Sequence, residues 1–196
     1  MNRLNRRDAI KTLLHERGDL LVVTGLGSPA YDVASAGNHP LDFPSWGAMG
    51  GALMMGLGLA LAQPERNVLV VTGDGEMLMG IGSFSTVGAV QPSNLKLVVM
   101  DNGLYGETGR QTTHTDSQTD LAAVARACGI EKAYTITKAA RLEKLREEIH
   151  NHAGPLVAIL KVSNAEVPRV LPPIDGPYLT QRMRTALLGE AAALRA

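Results

Sequence analysis

Short apolar runs at residues 20–24, 68–72 and 95–100 constrain the fold of this chain more than any other feature of it. A fourth, at 156–162, follows Gly154 and Pro155. Their apolarity is continuous rather than alternating, which marks strands buried on both faces. Helical patterns lie between and around them, at residues 8–16, 50–63, 77–90, 121–127 and 139–152, with a last one at 179–194. Strand and helix alternate, and right-handed crossovers then give an α/β fold, a mostly parallel sheet with helices on both faces. Ligands bind such sheets beyond the carboxyl ends of the strands. The loops after Thr24, Thr72 and Met100 are therefore where chemistry is expected.

Composition narrows the function classes. Nineteen Lys and Arg balance nineteen Asp and Glu, and there are one Trp, four Tyr and two Phe. With no basic excess and few rings to stack on bases, nucleic acid is not an expected partner. The apolar stretch GGALMMGLGLALA, residues 50–62, is too short and too rich in glycine to span a bilayer, and it predicts a helix buried on all sides. Twenty-one glycines point to close helix-to-strand packing. A single cysteine, Cys128, rules out an internal disulfide and fits a reducing cytoplasm. The start, MNRLNRRDAIKTLL, is amphipathic but has no continuous apolar stretch, so it reads as a first helix rather than a secretory signal. Four prolines within residues 165–178 predict a surface arm before the last helix. No repeat or shift in composition divides residues 1–196, which read as one domain.

The chemistry is carried by Gly73-Asp74-Gly75, between a strand and a helical pattern. Two glycines around one acid allow a sharp turn, bare backbone N–H groups and a carboxylate beside them, which suits a diphosphate joined to a divalent cation. Without the cation the carboxylate would repel the phosphate. Asn102, 28 residues beyond Asp74, ends the next strand and offers a second hard oxygen to the same ion.

These residues carry a resemblance. The segment GDGEMLMGIGSFSTVGAVQPSNLKLVVMDNGLYG is similar to the GDG-to-NN segment of the thiamine diphosphate enzymes, in its ends, its spacing and its strand contexts. GAMGGALMMGLGLALA, DNGLYGETGRQTTHT, DLAAVARACGI and IDGPYLTQRM extend it across most of the chain, toward the β subunit of sulfopyruvate decarboxylases and the C-terminal half of phosphonopyruvate decarboxylases. The resemblance implies that residues 1–196 are the cofactor-binding, or PP-type, domain of a 2-oxoacid decarboxylase using thiamine diphosphate and Mg2+. It implies Asp74, Asn102 and the Leu104 carbonyl as metal ligands. Gly73, Gly75 and Glu76 would meet the diphosphate through backbone groups, Thr24 and Gly25 would lie beside it, and Gly47 and Tyr105 near the cofactor. Met49, 25 residues before Asp74, would wedge between the cofactor's two rings.

The chain departs from this pattern at Glu76, where relatives have Ser or Ala, and at Glu107 and Arg110, where they resemble YGSTGGQ. Glu107, Arg110 and His114 are thus the candidates for meeting the substrate, a small 2-oxo acid. Glu107 and Arg110 could equally pair with each other on the surface. Members of this family also need a glutamate against the cofactor's aminopyrimidine, carried by a PYR domain that no segment here resembles. The resemblance therefore implies a PYR-domain α subunit, in an α2β2 or larger assembly, and a nonoxidative decarboxylation releasing CO2 and an aldehyde. Carboligation by the same cofactor is the alternative. A different class is a dinucleotide-binding oxidoreductase subunit, since Gly25-Leu26-Gly27-Ser28-Pro29-Ala30 fits G-x-G-x-x-A after a strand. Against it, Pro29 interrupts the helix start, and no clear second strand ends in an acid about 20 residues on, Asp42 falling in a Pro-flanked loop.

Overall fold

The structure is a computed structural model that describes residues 3–193. The chain begins with α1 (Arg6–Leu13), β1 (Leu21–Thr24), α2 (Ser28–Ser35), β2 (Asp42–Pro44) and α3 (Ala52–Ala62). It continues through β3 (Val68–Gly73), α4 (Asp74–Met79), α5 (Ser83–Val90), β4 (Leu95–Asp101) and a small antiparallel hairpin, β5 (Leu104–Tyr105) and β6 (Gln111–Thr112). Then come α6 (Leu121–Ala127), β7 (Lys132–Ile136), α7 (Leu142–Asn151), β8 (Leu156–Lys161), α8 (Gly176–Leu188) and α9 (Glu190–Ala193). The expected end of the last helix, Leu194, lies outside the described residues.

Six strands form one parallel sheet in the order β2-β1-β3-β4-β8-β7. The four apolar runs are its centre, and every residue of β1 and β4 is buried. Alternate residues feed two cores. Val23, Val70, Leu97 and Ile159 face α3, α5 and α6, while Val22, Leu69, Val98 and Leu160 face α1, α2 and α7. Small residues set the approach of helix to strand: a Cβ on Gly56 of α3 would overlap a methyl of Val70, and one on Gly88 of α5 would overlap the Cys128 carbonyl.

Several expectations change. The pattern at 77–90 is two helices, broken at residues 80–82, because the Gly80 backbone packs so closely on Gly50 that no side chain fits there. Pro29 does not interrupt α2; it sits in the first turn, where its missing N–H costs nothing. The helix expected to be buried all round is not: on α3, Met54 is 41% and Leu61 57% exposed, on one face with Gly58. Its apolar stripe is wider than this chain alone covers.

A lysine also lies wholly inside. Lys96 of β4 is 0% exposed, its ammonium near the carbonyls of Ser93 and Gly154 at 3.2 Å each. Burial lowers its pKa to about 8. The unfolded chain, with a value near 10.5, holds that proton more tightly, so the penalty is complete below pH 8 and relieved as pH rises toward 10.5. Melting curves of the wild type and Lys96→Met should show the wild type gaining stability relative to the variant across that window; a constant difference would contradict this. Gly56→Ala should cost about 1–3 kcal/mol in denaturant unfolding, from overpacking against β3.

Candidate functional site

From β1 the chain runs through α2 to β2 on one side, then returns through α3 to β3 on the other. The strand order therefore reverses between β1 and β3, and a crevice opens at their carboxyl ends. Leu26, Ser28 and Pro29 line it after β1, residues 73–76 after β3, and Met100, Asn102 and residues 104–108 around the end of β4. Met49 closes it from the loop before α3.

The fold thus gathers Met49, Gly73, Asp74, Gly75, Glu76, Asn102, Leu104, Tyr105 and Glu107 in one place. Thr24, Gly25, Gly47, Arg110 and His114 are not among the residues lining the crevice. Thr24 lines a second cavity with Asn38 and Pro44, and its buried Oγ1 makes no hydrogen bond. Gly25 is overlaid by the Glu76 carboxyl, leaving no space for a Cβ. Gly47 holds φ at 76°, open to glycine without strain, in the loop that carries Met49. His114 is exposed.

Asp74 is the most constrained side chain of the crevice. Its Oδ2 accepts hydrogen bonds from Thr113 Oγ1 at 2.5 Å and Thr115 Oγ1 at 3.1 Å, whereas Oδ1 meets only the distant Asn102 N–H at 3.4 Å. Thr115 also lies 2.9 Å from Asp101 Oδ1, and Lys161 of β8 donates to Asp101 Oδ2 at 2.5 Å. A hydroxyl has one hydrogen, so Thr115 serves one carboxylate at a time. Burial pushes the Asp74 carboxyl above its ordinary pKa; Thr113 opposes the shift, Asp101 adds to it, and Thr115 and the residue's own backbone N–H oppose it. A buried carboxylate with one oxygen nearly bare is suited to a cation.

The other donors are hard oxygens too. Asn102 Oδ1 accepts the Leu104 N–H at 2.8 Å, a turn that fixes the amide and keeps one lone pair free. Among the described residues no three His, Cys, Asp or Glu side chains cluster to hold a metal. An ion here would rest on one carboxylate, one amide and a backbone carbonyl, with the remaining positions left for ligand oxygens. The Tyr105 ring lies on the Gly75 backbone, 2.6 Å from where a Cβ would be, so glycine is required there.

Glu107 and Arg110 do not pair with each other. Glu107 approaches Arg169 at 3.8 Å, and Arg110 bonds Glu166 at 3.3 Å and the Asn164 carbonyl at 3.2 Å, so both tie the crevice loop to the arm. Ahead of α1, Arg3 donates to the Asn102 carbonyl at 2.7 Å, and Leu4 bridges Val162 beyond β8. Thr113, Thr115, Asp101 and Lys161 were not legible as site residues. The signal was T-H-T, where a single 3-10 turn, His114–Asp116, buries both threonines and leaves the histidine exposed. Asp42 of β2, the acid a dinucleotide site would need, is buried and paired with Arg17 at 2.6 Å.

The family model described as thiamine pyrophosphate enzyme, C-terminal TPP binding domain, matches residues 26–159. The chain is 37% identical over 177 residues to the sulfopyruvate decarboxylase subunit beta of Methanocaldococcus jannaschii, covering 85% of this chain and 92% of that one. To the sulfopyruvate decarboxylase of Methanosarcina acetivorans it is 34% identical over 93% of its length, yet spans only 47% of that protein. To the phosphonopyruvate decarboxylase of Streptomyces viridochromogenes it is 43% identical over 136 residues, 69% of this chain and 34% of that one. Among solved structures, the benzoylformate decarboxylase of Polynucleobacter necessarius shares the fold with a TM-score of 0.71 at 18% identity, over 84% of this chain and 34% of that one. On its sequence the chain belongs to the thiamine pyrophosphate enzymes, as a C-terminal TPP-binding domain.

Proposed function

We propose that this chain is the cofactor-holding β subunit of a nonoxidative 2-oxoacid decarboxylase of the sulfopyruvate and phosphonopyruvate type. The observation that carries the reading is the Asp74 clamp: two threonines hold Oδ2 and leave Oδ1 nearly bare at the switch point. Asp74 Oδ1, Asn102 Oδ1 and the Leu104 carbonyl would hold Mg2+. Gly73, Gly75 and Glu76 would offer backbone groups to the diphosphate, Thr24 and Gly25 would flank it, and Gly47 and Tyr105 would border the rings. Bound thiamine diphosphate supplies the carbanion and the electron sink for decarboxylation.

This chain's own part is to orient and to exclude water. Met49, 36% exposed at the mouth of the crevice, would brace the cofactor, and the packing of Gly50 on Gly80 fixes the loop that carries it. Glu107, the charged candidate inside the crevice, would face the substrate, with Arg110 and His114 further out. Residues 1–196 then form a single PP domain. The glutamate that acts on the aminopyrimidine would come from a PYR-domain α subunit. Two observations support this partner. Relatives are named as β subunits, and a Methanosarcina relative about twice as long is named without a subunit designation. The exposed stripe Met54, Gly58 and Leu61 of α3 is an apolar surface for it to cover.

Coexpression with a PYR-domain partner, followed by assay of CO2 release from a panel of 2-oxo acids with thiamine diphosphate and Mg2+, tests the reading; no release from any acid would overturn it. In that complex Asp74→Ala should abolish cofactor retention, measured as thiamine fluorescence remaining after gel filtration, because no second carboxylate replaces it in the ligand set. Met54→Asp with Leu61→Arg should prevent copurification of the partner while leaving the melting temperature of the free chain unchanged, since both side chains are already exposed.

A further inference from the structure

The Glu76 side chain does something the other crevice residues do not: it folds back into the floor. It is 5% exposed, and its Oε2 accepts the Thr72 hydroxyl at 2.8 Å. Oε2 also lies so close over the Gly25 backbone that only glycine fits beneath it. Burial pushes the Glu76 carboxyl above its ordinary pKa, and the Thr72 hydroxyl and the backbones of Gly50, Ala52 and Leu26 act against that shift. Even so, Oε1 is buried with no hydrogen bond. Two of these amides belong to the start of α3, an eleven-residue helix with no side-chain cap, and the third to the turn before α2. They lie at or just ahead of helix starts, where backbone N–H groups hold phosphate in α/β folds.

The charges around the crevice sharpen the point. Asp74, Glu76 and Glu107 are among its lining residues, and no Lys or Arg is. A diphosphate entering beside the Glu76 carboxylate would face a like charge in a poorly solvated place. Yet the spot the carboxylate covers, Gly25 and the amide of Leu26, is where the thiamine diphosphate reading puts phosphate.

We propose that Glu76 is an internal stand-in for the cofactor's diphosphate: its carboxylate occupies the amide cradle of the free chain, and cofactor with its cation seats only by displacing it. On displacement, the side chain swings from Thr72 and Gly25, the amides of Leu26, Gly50 and Ala52 pass to phosphate oxygens, and the Glu76 backbone stays in place. The inference rests on the diphosphate reading of the crevice and adds a competitor to it.

Titration calorimetry on the full chain tests it, with Mg2+ plus inorganic pyrophosphate and Mg2+ plus thiamine diphosphate as probes. Glu76→Gln keeps the volume and a partner for Thr72 but removes the charge; Glu76→Ser removes the occupant. Both should bind each probe about tenfold more tightly than the wild type, or bind where the wild type does not. Equal or weaker binding by both, with the wild type still binding, would make Glu76 a cap for α3 and overturn the inference alone. If neither the wild type nor either variant binds either probe at millimolar concentration, the diphosphate site itself falls, and the inference with it. Asp74→Ala in the Glu76→Ser background separates the two ideas further. Its binding should vanish, and retention of tight binding would remove Asp74 from the cation site while leaving the competition intact.

Discussion

A carboxylate buried at the end of a parallel strand is expensive unless every lone pair has a purpose, and the crevice is organised around that constraint at Asp74. The cost is offset on one side by two threonine hydroxyls brought from the turn after β6, and is left open on the other. Because Thr115 also reaches Asp101, and Asp101 is held by Lys161, the orientation of the single carboxylate depends on β3, β4, the turn after β6, and β8 together. Few substitutions in that set are local. Loss of Lys161 would strand Asp101, whose repulsion of Asp74 would then be less balanced.

Much of the fold could be read from the chain, because the central strands are apolar on both faces and need no context to declare themselves. The edges could not. β7 reads K-A-Y-T-I, half polar because one side of an edge strand meets solvent, and β2 is three residues flanked by prolines. The β5–β6 hairpin is two residues a side and lies among glycines and threonines that read as loop. At the site, the position of the Gly-Asp-Gly turn and of Asn102 at neighbouring strand ends was legible, because each follows a buried apolar run. The residues that orient them were not, since a threonine pair 39 and 41 residues beyond Asp74 acquires meaning only when the turn after β6 folds over it.

The same limit explains α3. Its sequence is apolar around the whole circumference, and hydrophobicity alone says only that such a helix is covered, not by what. The fold covers one side with β3 and β4, leaving Met54 and Leu61 bare. Under the proposed assembly, that bare face is the surface a partner subunit would cover.

The start of the chain and its last strand both end at the crevice. Arg3 holds the Asn102 carbonyl, Leu4 is laid beside Val162, and Lys161 anchors Asp101. On the ribosome, then, a nascent chain that has already released its Gly-Asp-Gly turn still lacks the groups that aim it, and must wait for some ninety further residues to emerge. Until β8 slots in beside β4, translation has delivered the side chains of the crevice but not its shape.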